Sequence, residues 1–259
     1  MRPSENGTFM TVGRRKSISI VVPAFNEEEG IADFLKAASK ILSRDEPPWE
    51  IIVVDNGSFD NTCEVVEHFT RDARIRLLRN GSNHGKGYSI RRGMIEAQYE
   101  MRLMCDADCM SSLESLGRME EALDRAQIVV GSRLAAGSYV AVQQPWRRRL
   151  VGSGFLMVTR LMLGRLARDV YCGFKLWSAE AAEKVFPLVT LDGWVFDAEA
   201  LALAKKFGFT AVETGIEWTD RPNSRLSIRA VLVPAVKELW AARRQVRRVT
   251  LPMPVNSRA

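Results

Sequence analysis

Histidine is nearly absent: the 259 residues contain two, His68 and His84, and neither is spaced to pair with a nucleophile or a second metal ligand. Imidazole-built zinc sites and catalysis by a serine–histidine or cysteine–histidine pair are thereby excluded. The four cysteines, Cys63, Cys105, Cys109 and Cys172, form no CxxC pair. Neither a disulfide scaffold nor a zinc ribbon is encoded, and reduced thiols in a cytosolic compartment are expected. No segment reaches the roughly 18 uninterrupted apolar residues of a membrane span, and the polar first residues lack a secretory hydrophobic stretch. The chain is therefore not expected to cross a membrane by itself. Gly85-Lys86-Gly87 stands outside any GxxxxGK(S/T) spacing, which excludes a P-loop, and no internal repeat is present.

What is there suffices for one full core: 46% of residues are hydrophobic and 26% charged, which fits one large α/β domain better than two small ones. The formal net charge of +6 calls for an anionic partner, whether nucleotide, acidic lipid or nucleic acid. Ser17 to Val22 is a β-branched run ending at Pro23 and reads as a buried strand. A helix follows, with Glu27, Glu28 and Glu29 at its positive end and Ile31, Phe34, Leu35, Ala38 and Leu42 at helical spacing. Strands are predicted over Glu50 to Asp55, Ile75 to Leu78, up to Asp106, and Ile128 to Val130. Helices are predicted from an Asn61 or Thr62 cap to Phe69, over Gly85 to Ala97, and around Leu113 to Leu123. This alternation predicts a mostly parallel, Rossmann-like sheet with helices on both faces. Beyond it, helices are expected in Arg147 to Arg168 and Asp197 to Phe207, and a strand over Phe209 to Trp218. The resulting division is a flexible tail over 1–16, a catalytic domain over 17–226, and a basic amphipathic helix and tail over 227–259.

Asp106-Ala107-Asp108 follows the apolar run Leu103-Met104-Cys105 and so places two short carboxylates at the end of a buried strand. Carboxylate oxygens are hard ligands that suit Mg²⁺ or Mn²⁺ bridging a nucleotide diphosphate. An isolated DxD more often only caps a turn. Here Asp55 also falls at a strand's carboxyl end, where open α/β sheets bind their ligands.

Three stretches in order, Val21-Val22-Pro23-Ala24-Phe25-Asn26-Glu27-Glu28, Val53-Val54-Asp55-Asn56-Gly57-Ser58 and Asp106-Ala107-Asp108, resemble the nucleotide-binding half of family 2 glycosyltransferases. Gly131-Ser132-Arg133, Cys172-Gly173-Phe174-Lys175, Gly193-Trp194-Val195-Phe196-Asp197 and Glu217-Trp218-Thr219-Asp220 look like the subgroup that loads sugars onto polyprenyl phosphates. Asn83-His84-Gly85-Lys86-Gly87 and the Cys-Gly-Phe-Lys segment resemble dolichyl-phosphate glucosyltransferases more than mannosyltransferases. The resemblance implies a single-domain glycosyltransferase A fold and a nucleotide diphosphate sugar as donor, with UDP-glucose favoured. It implies that Pro23, Ala24, Phe25, Glu27 and Asp55 hold the nucleoside, and that Asp106, Ala107 and Asp108 approach the diphosphate, the two aspartates holding the metal. Lys86, Arg133, Arg221 and Arg225 are then the basic donor-side positions. Met110 stands where related mannosyltransferases carry an amide ligand, and a thioether serves Mg²⁺ or Mn²⁺ poorly.

A phosphate acceptor needs positive charge beside an apolar path, for which Arg147, Arg148, Arg149 and Lys175 supply charge and Phe155, Leu156, Leu163 and Trp194 surface. Such an acceptor is already anionic near neutral pH and requires no general base. A hydroxyl acceptor would require one, and Asp197 is the candidate, with a helix cap as its alternative role. The carboxyl-terminal arginines point to anionic lipid, and hence to a cytoplasmic protein peripheral on the cytoplasmic membrane face. Two other functions fit the same motifs: a family 2 transferase acting on a soluble metabolite or polysaccharide, and a nucleotide-sugar-binding module without turnover. Nucleic acid is not expected as a partner, because the acidic motifs would repel its backbone.

Overall fold

The computed structural model describes residues 16–44, 47–141, 146–219 and 228–250, without the side chains of 110, 111, 146–150 and 228–233. The first strands alternate apolar side chains between two faces, as their β-branched runs require. They are β1 (Ile18–Ala24), β2 (Trp49–Asp55), β3 (Ile75–Arg79), β4 (Met101–Cys105) and β5 (Ile128–Ser132). Later come β6 (Tyr139–Val140), β7 (Phe174–Ser178), β8 (Ala211–Gly215) and β9 (Glu217–Trp218). Seven strands form one sheet in the order β3-β2-β1-β4-β7-β5-β8, while β6 and β9 pair separately. All neighbours in the large sheet are parallel except β7, which runs antiparallel between β4 and β5.

Helices cover both faces, as the alternation predicts. On one side α1 (Ile31–Leu42), α2 (Thr62–Phe69) and α4 (Leu116–Leu123) meet Ile18, Ile20, Val22, Ile51 and Val53 of the sheet. On the other, α3 (Lys86–Glu96), α5 (Trp146–Leu163), α6 (Ala179–Val185), α7 (Phe196–Lys206) and α8 (Ile228–Arg248) close over Val21, Ile52, Val54 and Trp177. α8 belongs to this body, since Ala235, Leu239 and Ala242 are buried in the second core.

Four local expectations change. The glutamates Glu27 to Glu29 form a turn instead of the helix's first residues, with the N–H groups of Gly30 and Ile31 donating to the Glu27 carbonyl. At the start of α2 neither Asn61 nor Thr62 makes a side-chain cap; an Asp60 carboxylate oxygen accepts the Thr62 N–H at 3.0 Å. The run from Phe209 to Trp218 is two strands that enter different sheets, not one. The central strand β7 is absent from the sequence reading because Lys175 interrupts its apolar pattern; inside the fold that charge is met by Asp197.

Candidate functional site

The carboxyl ends of β1 and β4 open into a cavity of about 330 Å³ lined by Pro23, Ala24, Phe25, Glu27, Asn56, Asn83, Gly85, Lys86, Asp106, Ala107, Asp108 and Trp194. Parallel strands put it there, because register Ala24↔Asp55 and Val21↔Met104 aligns the strand ends on one rim. Its mouth carries an aromatic pair: Phe25, 40% exposed, meets Phe59 edge to face with ring centroids 5.9 Å apart. Asn26 turns the chain there in the left-handed region, φ 55°, and its side-chain oxygen accepts the Phe59 N–H at 3.1 Å.

Amide side chains fix the facing loop. Asn56 donates to Asn83 at 2.9 Å and accepts from Asn80 at 3.2 Å and from the His84 N–H at 3.1 Å. Gly85 enters α3 at φ +104°, and a Cβ on it would fall 2.2 Å from the Asp192 carbonyl oxygen. Only glycine allows that approach, which brings the loop bearing Trp194 against the first turn of α3. The same Asp192 carbonyl accepts the Gly87 N–H at 2.8 Å.

Asp106 to Cys109 is a tight turn, closed by the Cys109 N–H donating to the Asp106 carbonyl at 2.9 Å. Carboxylate oxygens of Asp106 and Asp108 and the Cys109 sulfur lie within 4.8 Å of one another. Burial pushes the Cys109 thiol well above its ordinary value, and its sulfur lies 3.7 Å from Asp108. The hard oxygens of the two carboxylates at this spacing fit a divalent cation of the Mg²⁺ or Mn²⁺ class, for which a thiol is the softer and poorer ligand. The side chain of Met110 is outside the described residues. Lys86 places its ammonium 2.7 Å from Asp106 and 5.2 Å from the centre of the Trp194 ring. Burial opposes that charge, but Asp106 and Asp197 outweigh it and hold Lys86 above the ordinary lysine range.

Other predicted residues lie beneath or beside the cavity. Asp55 is buried and its carboxylate accepts the N–H groups of Gly57 and Ser58, both at 3.1 Å. Lys175 is fully buried, its ammonium donating to Asp197 and to the Cys172 carbonyl. Asp197 is the second residue of α7, in its first turn, and Val195 holds the cap position, so the capping role does not apply. Burial raises the Asp197 pKa despite Lys175 and Lys86 nearby. Arg133 forms a two-pronged bridge to Asp169, at 2.8 and 2.7 Å, and stacks over Trp218 at 5.1 Å. Arg221 and Arg225 lie outside the described residues, as do the side chains of Arg147, Arg148 and Arg149.

The sequence reading did not single out Asn56, Asn83 or Phe59. Asn56 and Asn83 stood inside quoted motifs, and their amide chemistry was the available signal; Phe59 carried none, because a lone aromatic in a polar loop has no periodicity to mark it.

The sequence matches the family described as Glycosyl transferase family 2 over residues 19–186. A dolichyl-phosphate beta-glucosyltransferase of Trichomonas vaginalis is 32% identical over 248 residues, covering 90% of this chain and 74% of that protein. The human dolichyl-phosphate beta-glucosyltransferase is 30% identical over 226 residues, covering 82% and 70%. Among solved structures, glucosyl-3-phosphoglycerate synthase from Mycobacterium tuberculosis bound to uridine diphosphate superposes with a TM-score of 0.63 at 18% identity, over 91% of this chain and 82% of that one. The same enzyme with Mn²⁺, UDP-glucose and phosphoglyceric acid gives 0.61 at 19% identity, over 87% and 80%. These structures share the fold.

Proposed function

The chain belongs to glycosyl transferase family 2, and from that premise we propose that it transfers glucose from a nucleotide diphosphate sugar, UDP-glucose, to the phosphate of a polyprenyl lipid. The observation that carries this reading is convergence. Pro23, Ala24, Phe25, Glu27, Lys86, Asp106, Ala107, Asp108 and Trp194, drawn from four separate stretches, line one cavity. That cavity offers aromatic rings and charged groups together, as a ligand with a flat base and a diphosphate requires. The relatives named for glucose transfer to dolichyl phosphate support the acceptor, and the neighbour crystallised with UDP-glucose and Mn²⁺ supports the donor.

Asp106 and Asp108 are the residues that would hold a divalent cation. Such an ion, when bound, offsets the negative charge that builds on a diphosphate leaving group. Phe25 offers its face to the nucleobase. Lys86 lies where its ammonium can leave Asp106 and donate to a phosphate oxygen of the donor. Trp194 lines the same cavity beside Lys86 and offers its ring to the sugar of the donor.

The acceptor then dictates the rest. A phosphate monoester loses its second proton near pH 6, so its oxygen is a ready nucleophile at neutral pH. That oxygen forms a bond to the anomeric carbon from the face opposite the diphosphate, and the old carbon–oxygen bond breaks with its electron pair leaving on the diphosphate. Configuration inverts. Asp197, held by Lys175 inside the core, is poorly placed to take a proton, which favours the acceptor that needs no base. A lipid acceptor calls for a position at a membrane surface, which this reading takes to be peripheral and cytoplasmic. Among the described residues no helix is long and apolar enough to cross a membrane.

The test is release of uridine diphosphate from UDP-glucose with Mn²⁺, compared with and without polyprenyl phosphate. Acceptor-dependent release and a glucosylated lipid are expected. Release driven instead by 3-phosphoglycerate or a polysaccharide would assign a soluble acceptor, and tight binding of UDP-glucose without any release would leave a binding module.

A further inference from the structure

We propose that the outward faces of α5 and α8 form a docking surface for an anionic lipid bilayer, with Trp240 as its interfacial anchor. This deepens the lipid-acceptor reading and rests on it. The two helices pack against each other on the same side of the sheet. On α5, Thr159 is buried while Met157, Val158 and Leu161 are exposed at 59%, 36% and 74%. At 100° per residue Met157 and Leu161 lie on the face opposite Thr159, with Val158 on its flank. On α8, Ala235, Leu239 and Ala242 point into the core, and Val236 and Trp240 point away from it, Trp240 61% exposed.

Charge on these helices is predominantly positive. The sequence of α5 contains four arginines and no acid, and that of α8 contains Arg229, Lys237, Arg243, Arg244, Arg247 and Arg248 against a single acid, Glu238. Lys237, Arg244, Arg247 and Arg248 are exposed beside Val236 and Trp240, and among the described residues they form no ion pair. Glu238 is turned away from that face: its carboxylate accepts the Val195 N–H at 3.1 Å, and Gly193 packs against it. An exposed tryptophan and valine set among four cations have the chemistry of the anionic headgroup boundary of a bilayer. An apolar row on the neighbouring helix extends it. A protein partner of matched charge would instead be expected to meet a concave apolar patch with a polar rim, and this surface interleaves the two.

The docked surface reaches the cavity through one connection. Glu238 ties α8 to the loop 193–195, and Trp194 of that loop lines the cavity. The docked helix is therefore joined directly to the loop that forms one wall of the cavity.

Sedimentation of the full chain with phosphatidylcholine vesicles, with and without phosphatidylglycerol, tests the proposal. The expected result is binding that requires phosphatidylglycerol and weakens with salt. Trp240→Glu with Leu161→Glu, and separately Arg244→Glu with Arg247→Glu, are each expected to lower vesicle affinity at least tenfold. Both variants change exposed residues, and unchanged thermal midpoints check that they fold. Glucose transfer to a short, water-soluble polyprenyl phosphate analogue should persist in both, while transfer to a bilayer-embedded acceptor falls about tenfold. Wild-type protein that ignores phosphatidylglycerol, or variants that sediment like wild type, would overturn the proposal. So would a Trp240-dependent dimer in solution without vesicle binding, which would make the face a contact between copies. Vesicle binding with transfer to neither acceptor would sink the lipid-acceptor reading and leave the surface standing.

Discussion

Gly173 lies against Asp106 so closely that a Cβ on it would fall 2.0 Å from the Asp106 carboxylate, and its carbonyl accepts the Asp106 N–H at 3.3 Å. The backbone leading into the antiparallel strand β7 thus sets where the first aspartate points. Gly173→Ala forces that carboxylate out of the cavity wall. Displacement of about 1 Å at a reacting centre can cost ~100-fold in rate. A loss of at least tenfold in kcat, with a thermal midpoint only a few degrees lower, is expected from steady-state kinetics and thermal unfolding. Unchanged kcat would show that the position of Asp106 is immaterial to turnover.

Lys86 and a divalent cation compete for the same carboxylate. With the ammonium 2.7 Å from Asp106, replacing Lys86 by Met removes the resident positive charge from the cavity. Mn²⁺ should then bind several-fold tighter in the absence of nucleotide, as titration calorimetry reads directly. Because the same ammonium is the candidate partner for donor phosphate, kcat/KM for UDP-glucose should fall tenfold or more. Opposite signs for the ion and the donor are the mark of this double duty. A loss of both would mean that Lys86 supports the loop and does not compete at the carboxylate.

How much of this was readable beforehand differs by element. Strands β1, β2 and β4 were legible from the short apolar runs Ile20-Val21-Val22, Ile51-Ile52-Val53-Val54 and Leu103-Met104-Cys105, each ending at a marked residue, Ala24, Asp55 or Asp106. β7 was not, since a lysine at the second position of a five-residue strand leaves only a short apolar pair after it, and its charge looks like surface until Asp197, 22 residues later, is seen to meet it. Arg133 was legible as a cation near the site but not as the partner of Asp169, because nothing in residue spacing distinguishes a guanidinium awaiting a phosphate from one already bridged. Pairings over long sequence separations were the hidden part, and they decide which predicted charges remain available to a ligand.

The buried pair Lys175–Asp197 has a measurable signature. Removing one partner strands the other charge in the core, at a cost of about 3–5 kcal/mol. Lys175→Met should therefore lower the thermal midpoint by roughly 10 °C. The double change Lys175→Met with Asp197→Leu removes both charges and should recover most of that loss. Thermal unfolding of the single and double variants closes the cycle. If the double variant is as unstable as the sum of the two singles, the ion pair is not what holds β7 to α7.

The Arg133–Asp169 bridge predicts an acid limb in the stability profile. Burial alone would raise the Asp169 pKa, but the two-pronged hydrogen bonds and charge of Arg133 hold it below its ordinary 3.8. A carboxyl whose folded pKa lies under its unfolded value binds protons more readily in the unfolded chain. Its contribution is therefore complete above about pH 4 and lost as pH falls through the lower, folded value. Wild-type protein should exceed Asp169→Asn in thermal midpoint by a constant margin from pH 7 to about pH 5, and the margin should shrink steadily below pH 4. Unfolding midpoints of both proteins across pH 3 to 7 measure it. A margin that widens on acidification would reverse the sign and place the stabilising protonation elsewhere in the fold.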